Sequence, residues 1–443
     1  MLFQPFFLKV FFMELQKLYN YFKQSTGVTT DSRNCNPGSV FFALRGERFN
    51  GNEYALQALR EGCLLAVVDD IALDGIPGCF YVPDVLVALQ QLATIHRKAS
   101  STRFIGITGT NGKTTTKELM ASVLSEIYNV WYTRGNLNNH IGVPLTILSM
   151  PPQTEVAVVE MGANHIGEIA LLSAIAQPDF GLITNVGKAH LEGFGSFEGV
   201  KKAKGELYVF LKSHNRKAFI NVDNDHLLTM LGDWSKIGYG TREGELVTGR
   251  NAKAAPFLEF EWKTGHSEWY VAKTNLAGLY NFENALAAVC VGTYFEVPPH
   301  LIVKALNGYV PVNNRSQLTQ TSRNQVLMDA YNANPSSMAA ALTHFSGMEG
   351  DAKVLILGGM KELGPDSATE HQALINRVLE MDFQQCFLVG PEFINLVSDN
   401  RRITWFESVS QLLQYLGEIS LSGHLILVKG SRSNQLEKVL EAL

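Results

Sequence analysis

One stretch constrains this chain more than any other: a strand that turns through glycines into a helix opening on Lys-Thr-Thr. Residues 103–108 (RFIGIT) read as the strand, and KTTTKELMASVLSEIY from Lys113 as the helix. Between them run Thr108, Gly109, Thr110, Asn111 and Gly112. Backbone N–H groups of such a turn point inward and the helix N-terminus adds positive partial charge, which suits a phosphate group. Lys113 is then placed to reach the β- and γ-phosphates of a nucleotide, Thr114 to hold Mg²⁺, and Thr115 to close the cradle. The strict phosphate-loop pattern has its first glycine where Ile107 stands, so a glycine-rich turn with a chance lysine is the alternative.

The rest of the chain alternates strand and helix, which predicts an α/β protein with mostly parallel sheets covered on both faces. Residues 39–46, 64–70 and 79–83 read as strands, with helical patterns at NEYALQALREGC and VLVALQQLATIHRKAS. With 443 residues, the chain exceeds one ordinary core. We expect three domains, at 1–101, 102–310 and 311–443: a small N-terminal α/β unit, a central phosphate-loop ATPase-type parallel sheet, and a Rossmann-like doubly wound C-terminal unit. In the last, VLILGG and HLILVKG read as strands buried on both faces, and NQLEKVLEAL reads as a closing helix. The hinge before it is placed at PVNNRSQ, residues 311–317.

Charge and cysteines exclude several classes. A net charge of −5 argues against a general nucleic-acid binder. The 5 cysteines are scattered without a C-x-x-C pair, so neither a disulfide framework nor a zinc site is expected, and a reducing compartment fits. The opening MLFQPFFLKVFF is short of the roughly 20 apolar residues a membrane span needs. It reads either as a start upstream of Met13 or as a strand.

Further candidates lie at strand ends, where open α/β sheets bind ligands. EVAVVEM puts Glu160 there, as a Mg²⁺ ligand or equally a solvated acid. After FGLITNV comes His190, more often structural than a ligand when alone. FEGVKKAKGE then carries Lys201, Lys202 and Lys204, which by themselves read as a solvated basic face.

Taken together, GTNGKTT, EMGANHIGEI, GNLNNHIGVPLTIL, NVGKAHLEGFGSFEGVKKAKGEL, YNFENALAA, DAYNANPSSMAAAL and LVKGSRS make the chain resemble the Mur ligase family. It is most similar to the branch that joins D-Ala-D-Ala to UDP-N-acetylmuramoyl-tripeptide with ATP. TTDSR at 29–33, followed by FFALRG, is similar to the family's UDP-sugar-binding unit. The resemblance implies a cytoplasmic bacterial enzyme of cell-wall synthesis, with no nucleic-acid partner and no transmembrane segment, expected as a monomer. It implies two Mg²⁺ ions, one held by Thr114 and Glu160 and the other by His190 and a carbamylated Lys204. Positive neighbours would favour that modification by keeping the amine neutral, with Lys201 and Lys202 as contributors.

The same resemblance assigns Asn281 and Asn284 to the adenine side, Arg315 to the nucleotide from the hinge, and Asp329, Tyr331 and Asn332 to ATP from the third domain. Ser32 and Arg33 would contact the UDP or diphosphate, and Asn138 and Asn139 the reacting carboxylate. Read from the residues alone, several of these are helix-end, linker or turn residues. Two departures stand out: Gly358-Gly359-Met360 where relatives carry Gly-Asp-Met, and Asn50-Gly51-Asn52 where they carry Asp-Gly-His.

Overall fold

The computed structural model describes residues 4–311, 315–350, 352–396 and 400–443. Its backbone forms sheets of four, nine and six strands, with a short two-stranded hairpin. The four-stranded sheet pairs Val28–Thr29, Val40–Phe42, Leu65–Val68 and Cys79–Tyr81 in parallel. The predicted strand at 39–46 is thus two pieces: after Phe42 the chain leaves the sheet, and Arg45–Gly46 pairs with Phe49–Asn50 in the hairpin.

In the nine-stranded sheet the phosphate-loop strand Arg103–Thr108 lies between Phe180–Ile183 and Val156–Glu160, parallel to both. Side chains of a strand alternate between faces. Ile105, Ile107, Val156 and Val158 accordingly pack under the helices Lys113–Leu124, Asn281–Tyr294 and Pro299–Gly308, while Phe104, Ala157 and Val159 pack against Gly142–Leu148, Glu168–Ala176 and Phe197–Ser213. The far edge departs from the parallel expectation: Val247–Ala254, Phe257–Thr264 and Tyr270–Ala277 run antiparallel. They carry the chain into the helix that begins at Asn281.

The six-stranded sheet repeats the two-faced logic. Leu327, Leu355, Leu357 and Leu427 face the helices Pro335–Gly347 and Ser367–Leu379, whereas Val326, Met328, Ile356 and Val428 face Val409–Glu418. The closing segment is tighter than predicted, with 3₁₀ geometry at Leu436–Ala442. Of the predicted hinge, residues 312–314 lie outside the described residues.

The strand alternative for the N-terminal segment is not what forms, since a helix runs Gln4–Gln24. Leu15, Leu18 and Phe22, at helical spacing, are buried against the helix Val85–Ala99. No helix among the described residues is long and apolar enough to cross a membrane.

Candidate active site

A cleft of about 880 Å³ lies between the carboxyl ends of the two larger sheets. Its floor is the phosphate loop. Gly112 caps the helix in the left-handed region, at φ 77°, and a Cβ there would come within 2.4 Å of Asn284 Oδ1, so only glycine fits. Lys113 folds back over the loop, its Nζ donating to the carbonyls of Gly109 at 2.7 Å and Thr110 at 3.0 Å. Burial and the Arg315 guanidinium pull its pKa down against the opposing pull of Glu160. Thr108 and Gly109 lie beneath the cleft surface, whereas Thr110, Asn111, Lys113, Thr114 and Thr115 line it.

Glu160, 2% exposed, is a hub. Its carboxylate accepts from Thr114 Oγ1 at 3.0 Å and Asn138 Nδ2 at 2.9 Å. Lys117, one helical turn beyond Lys113 and 1% exposed, brings its Nζ to 3.6 Å from Glu160 Oε2. Lys117 escaped the sequence reading, although its phase on the helix of Thr114 was a usable signal. Asn139 plays a different part from its neighbour: its Oδ1 accepts from the N–H groups of Ile141 and Gly142 and starts the helix Gly142–Leu148.

Asn281 and Asn284 reach the cleft but are tied up locally. Asn281 Nδ2 donates to the Ala277 carbonyl at 2.7 Å, and Asn284 Oδ1 accepts from Thr116 Oγ1 at 3.0 Å. The opposite wall comes from the C-terminal sheet. Arg315 stacks on Tyr331, its guanidinium 3.6 Å from the ring centroid, and Asp329 binds the buried Lys429 Nζ at 2.5 Å. Asn332 Oδ1 accepts from the N–H of Ala333. Lys429 was legible only within the LVKGSRS run.

The walls touch at several points. Asn334 Nδ2 donates to Asn111 Oδ1 at 2.8 Å, Lys188 Nζ pairs with Glu370 at 2.9 Å, and His190 Nδ1 lies against the Glu362 carboxylate. At Gly187 an added Cβ would meet Ser336 Oγ at 2.8 Å.

Of the lysines on helix Phe197–Ser213, only Lys204 turns inward, in phase with buried Val200, Ala203, Leu207 and Leu211. Lys201 pairs with Glu198 at 2.8 Å and Lys202 is exposed. Lys204 does not line the cleft. Its Nζ donates to the Ala163 carbonyl at 3.2 Å and sits 5.0 Å from the Phe194 ring centroid. Burial first, and the Lys113 cation second, bring its pKa to about 7. The expected contribution of Lys201 and Lys202 is therefore replaced by burial and Lys113.

Ser32 and Arg33 stand apart from this cleft; Arg33, with its side chain 88% exposed, forks onto Asp31. The departing Asn50-Gly51-Asn52 is woven into its own unit, Asn52 accepting from the Asp69 N–H and donating to Asn50 and Asp69. At Gly359 an added Cβ would lie 2.2 Å from Glu392 Oε2, so this carboxylate occupies the space a side chain there would need.

No cluster of three or more His, Cys, Asp or Glu side chains suited to a metal occurs among the described residues. Mg²⁺ commonly takes one or two protein oxygens and completes its shell with phosphate and water. Thr114 and Glu160 fit that demand, being two oxygen donors beside the phosphate loop. A second ion at His190 does not fit beside Lys204 as an ammonium, whose Nζ donates to the Ala163 carbonyl.

Three family models match the chain. That for the Mur ligase middle domain matches residues 107–292, that for the Mur ligase, glutamate ligase domain matches 314–432, and that for the Mur ligase family, catalytic domain matches 24–95. The chain belongs to the Mur ligase family. It is an ATP-dependent ligase that forms amide bonds. This Mur ligase is 36% identical over 431 residues to the Bacillus subtilis (strain 168) UDP-N-acetylmuramoyl-tripeptide--D-alanyl-D-alanine ligase, covering 94% of this chain and 93% of that one. Its fold matches a crystal structure of MurF from Acinetobacter baumannii with a TM-score of 0.86 at 29% identity, over 97% of each chain. MurF from Thermotoga maritima in complex with ADP matches with a TM-score of 0.84 at 26% identity, over 95% of this chain and 97% of that one.

Proposed function

We propose that this Mur ligase joins D-Ala-D-Ala to UDP-N-acetylmuramoyl-tripeptide, consuming ATP and releasing ADP and phosphate. The observation that carries the reading is the cleft itself: a phosphate loop with Lys113 and a Thr114–Glu160–Asn138 cluster on one wall, faced by Arg315, Asp329 and Tyr331 on the other. The likeness to D-alanyl-D-alanine ligases across nearly the whole chain gives the substrates.

The acceptor carboxylate attacks the γ-phosphorus and ADP leaves, giving an acyl phosphate. The amine of D-Ala-D-Ala then attacks the acyl carbon, and phosphate departs from the tetrahedral intermediate. Lys113 exchanges the loop carbonyls for phosphate oxygens and neutralises charge as two anions approach. Asn138, already hydrogen-bonded to Glu160, orients the carboxylate, and Asn139 keeps that loop in place from the helix behind it. Bound Mg²⁺, held by Thr114 and Glu160 and by His190 with a carbamylated Lys204, would supply further neutralisation of phosphate charge. Arg315 and Tyr331 cover the nucleotide, and docking of the two walls excludes the water that would hydrolyse the acyl phosphate.

Three units at 1–101, 102–310 and 311–443 divide the labour. The first holds UDP through Ser32 and Arg33, the second holds ATP, and the third brings the amine donor. The ligase acts as a monomer in the bacterial cytoplasm, without nucleic-acid partners.

Mass spectrometry of the product formed from ATP, UDP-muramoyl-tripeptide and D-Ala-D-Ala tests the reading, with lysine- and diaminopimelate-containing tripeptides offered in parallel. A pentapeptide product with stoichiometric ADP is expected. ATP hydrolysis indifferent to both substrates would refute it and favour a nucleotide-driven switch.

A further inference from the structure

A second cavity, of about 410 Å³, lies along the phosphate-loop helix beyond its first turn and shares no lining residue with the cleft. Its walls include Lys117, Glu118 and Ser122 from that helix, Tyr132 and Arg134 from the end of the strand Val130–Tyr132, and Tyr309 from just before the hinge. The reaction as written uses none of them.

Lys117 is the unusual member. Its side chain is 1% exposed, and an ammonium carries three N–H donors. The carboxylates that face it, Glu160 Oε2 at 3.6 Å and Glu118 Oε1 at 3.8 Å, both stand beyond hydrogen-bond length. An ammonium so placed gains charge attraction but lacks the hydrogen bonds that should offset its desolvation. Burial accordingly pulls its pKa down, while Glu160 and Glu118 pull it back. An oxyanion in the cavity would supply the missing acceptors and keep the ammonium charged.

The rest of the wall favours the same ligand. Arg134, exposed at the rim, lies over Tyr132 with its guanidinium 3.8 Å from the ring centroid, which sets a second cation on an aromatic face. Glu118, the carboxylate in the lining, is already engaged, its Oε2 accepting from the Tyr309 hydroxyl at 2.6 Å. Two cations against one engaged carboxylate leave the cavity positive. Its volume is that of a small-molecule site, and two tyrosine rings give it aromatic walls. The inner end is the back of the Glu160 hub: Thr133, fully buried, lines the cavity beside Lys117, and its Oγ1 accepts from the Glu160 N–H at 3.0 Å. We propose that this cavity is an effector site for a small aromatic acid, a carboxylate or a phosphate ester, whose oxyanion takes hydrogen bonds from Lys117 and so acts on the ATP cleft through the Lys117–Glu160 pair.

Calorimetry on the full chain tests it with benzoate, phenyl phosphate and, as the uncharged counterpart, benzyl alcohol. With the cleft saturated by a non-hydrolysable ATP analogue, at least one acid should bind at a single site about tenfold or more tighter than benzyl alcohol, and the tighter acid names the group. Arg134→Ala, on an exposed side chain, should weaken that acid about tenfold, the scale of one charge-assisted hydrogen bond. Saturating acid should shift the analogue's affinity about fivefold or more, matched by the shift that the analogue makes in the acid's affinity. In Lys117→Met, which keeps the buried stem and removes the ammonium, that shift should vanish.

Failure of both acids to bind at millimolar concentration, equal binding of benzyl alcohol, or unchanged acid binding in Arg134→Ala overturns the proposal. So does an unchanged analogue affinity in wild type, or a shift that persists in Lys117→Met. Should Lys117→Met not fold, Ser125→Trp places an indole at the mouth from an exposed position and should abolish both acid binding and the shift; retention of either overturns the proposal. None of these readouts depends on which amide bond the enzyme makes.

Discussion

Replacing Lys204 with alanine tests the carbamate most directly. CO₂ adds only to a neutral amine, and the burial of Lys204 beside the Lys113 cation brings its pKa to about 7. At pH 7.5 roughly three-quarters of such a lysine is neutral, against about one in a thousand for an ordinary lysine, a gain of several hundredfold in reactive amine. The sign follows: the depressed pKa leaves Lys204 protonated below about 7 and neutral above it. Carbamate occupancy, read by ¹³C NMR under constant ¹³CO₂ pressure, should therefore rise through neutral pH and reach its plateau well below the range of a solvated lysine. Lys204→Ala should lose turnover by about 100-fold or more, the upper range for losing a metal-orienting group, and acetate should restore part of it. Lys201→Ala and Lys202→Ala, which remove a surface ion pair and a solvated charge, should be milder by about tenfold or more. Near-normal turnover of Lys204→Ala in both CO₂-depleted and CO₂-rich buffer would refute the carbamate.

Other outcomes follow from the same geometry. Lys113→Ala should abolish ligation yet leave the calorimetric affinity for UDP-muramoyl-tripeptide within about threefold, since a lost charge-assisted contact to phosphate is local; equal loss of both would undo the division between units. Asn139→Ala should cost about 1 kcal/mol of stability in a denaturant melt, the typical worth of a side chain starting a helix, with a modest effect on kcat. Asn138→Ala should do the reverse, and identical profiles for the two would merge the roles separated above. A protein starting at Met13 retains Leu15, Leu18 and Phe22, which are buried, and should stay soluble and active; loss of activity would assign the preceding residues to the fold.

Much of this was legible because local pattern and tertiary use coincide. The glycine loop, the apolar strands and the helix phases each point to one burial pattern, and Leu327 against Met328 shows the alternation carried through to opposite faces. Legibility failed where partners are far apart in sequence. Nothing near Lys204 in the chain announces that Lys113 is its charged neighbour, and nothing near His190 announces Glu362. The split of residues 39–46 into two strands and the 3₁₀ turn at Leu436–Ala442 are set by what packs beside them, which periodicity does not encode. Asn281 and Asn284 were visible as polar residues at a helix start, but their mutual bracing with Ala277 and Thr116 required the sheet edge to be in place.

The approach at Gly187 sets a mechanical tolerance. With Ser336 Oγ 2.8 Å and Ser336 Cβ 3.3 Å from where a methyl would stand, the two walls meet closely there, and a side chain at Gly187 would have to turn the hydroxyl aside. Interiors and tight contacts resist compression. The separation of the units in the docked state is thus gauged by backbone against hydroxyl, and the reacting groups must be brought to bonding distance within that fixed gauge.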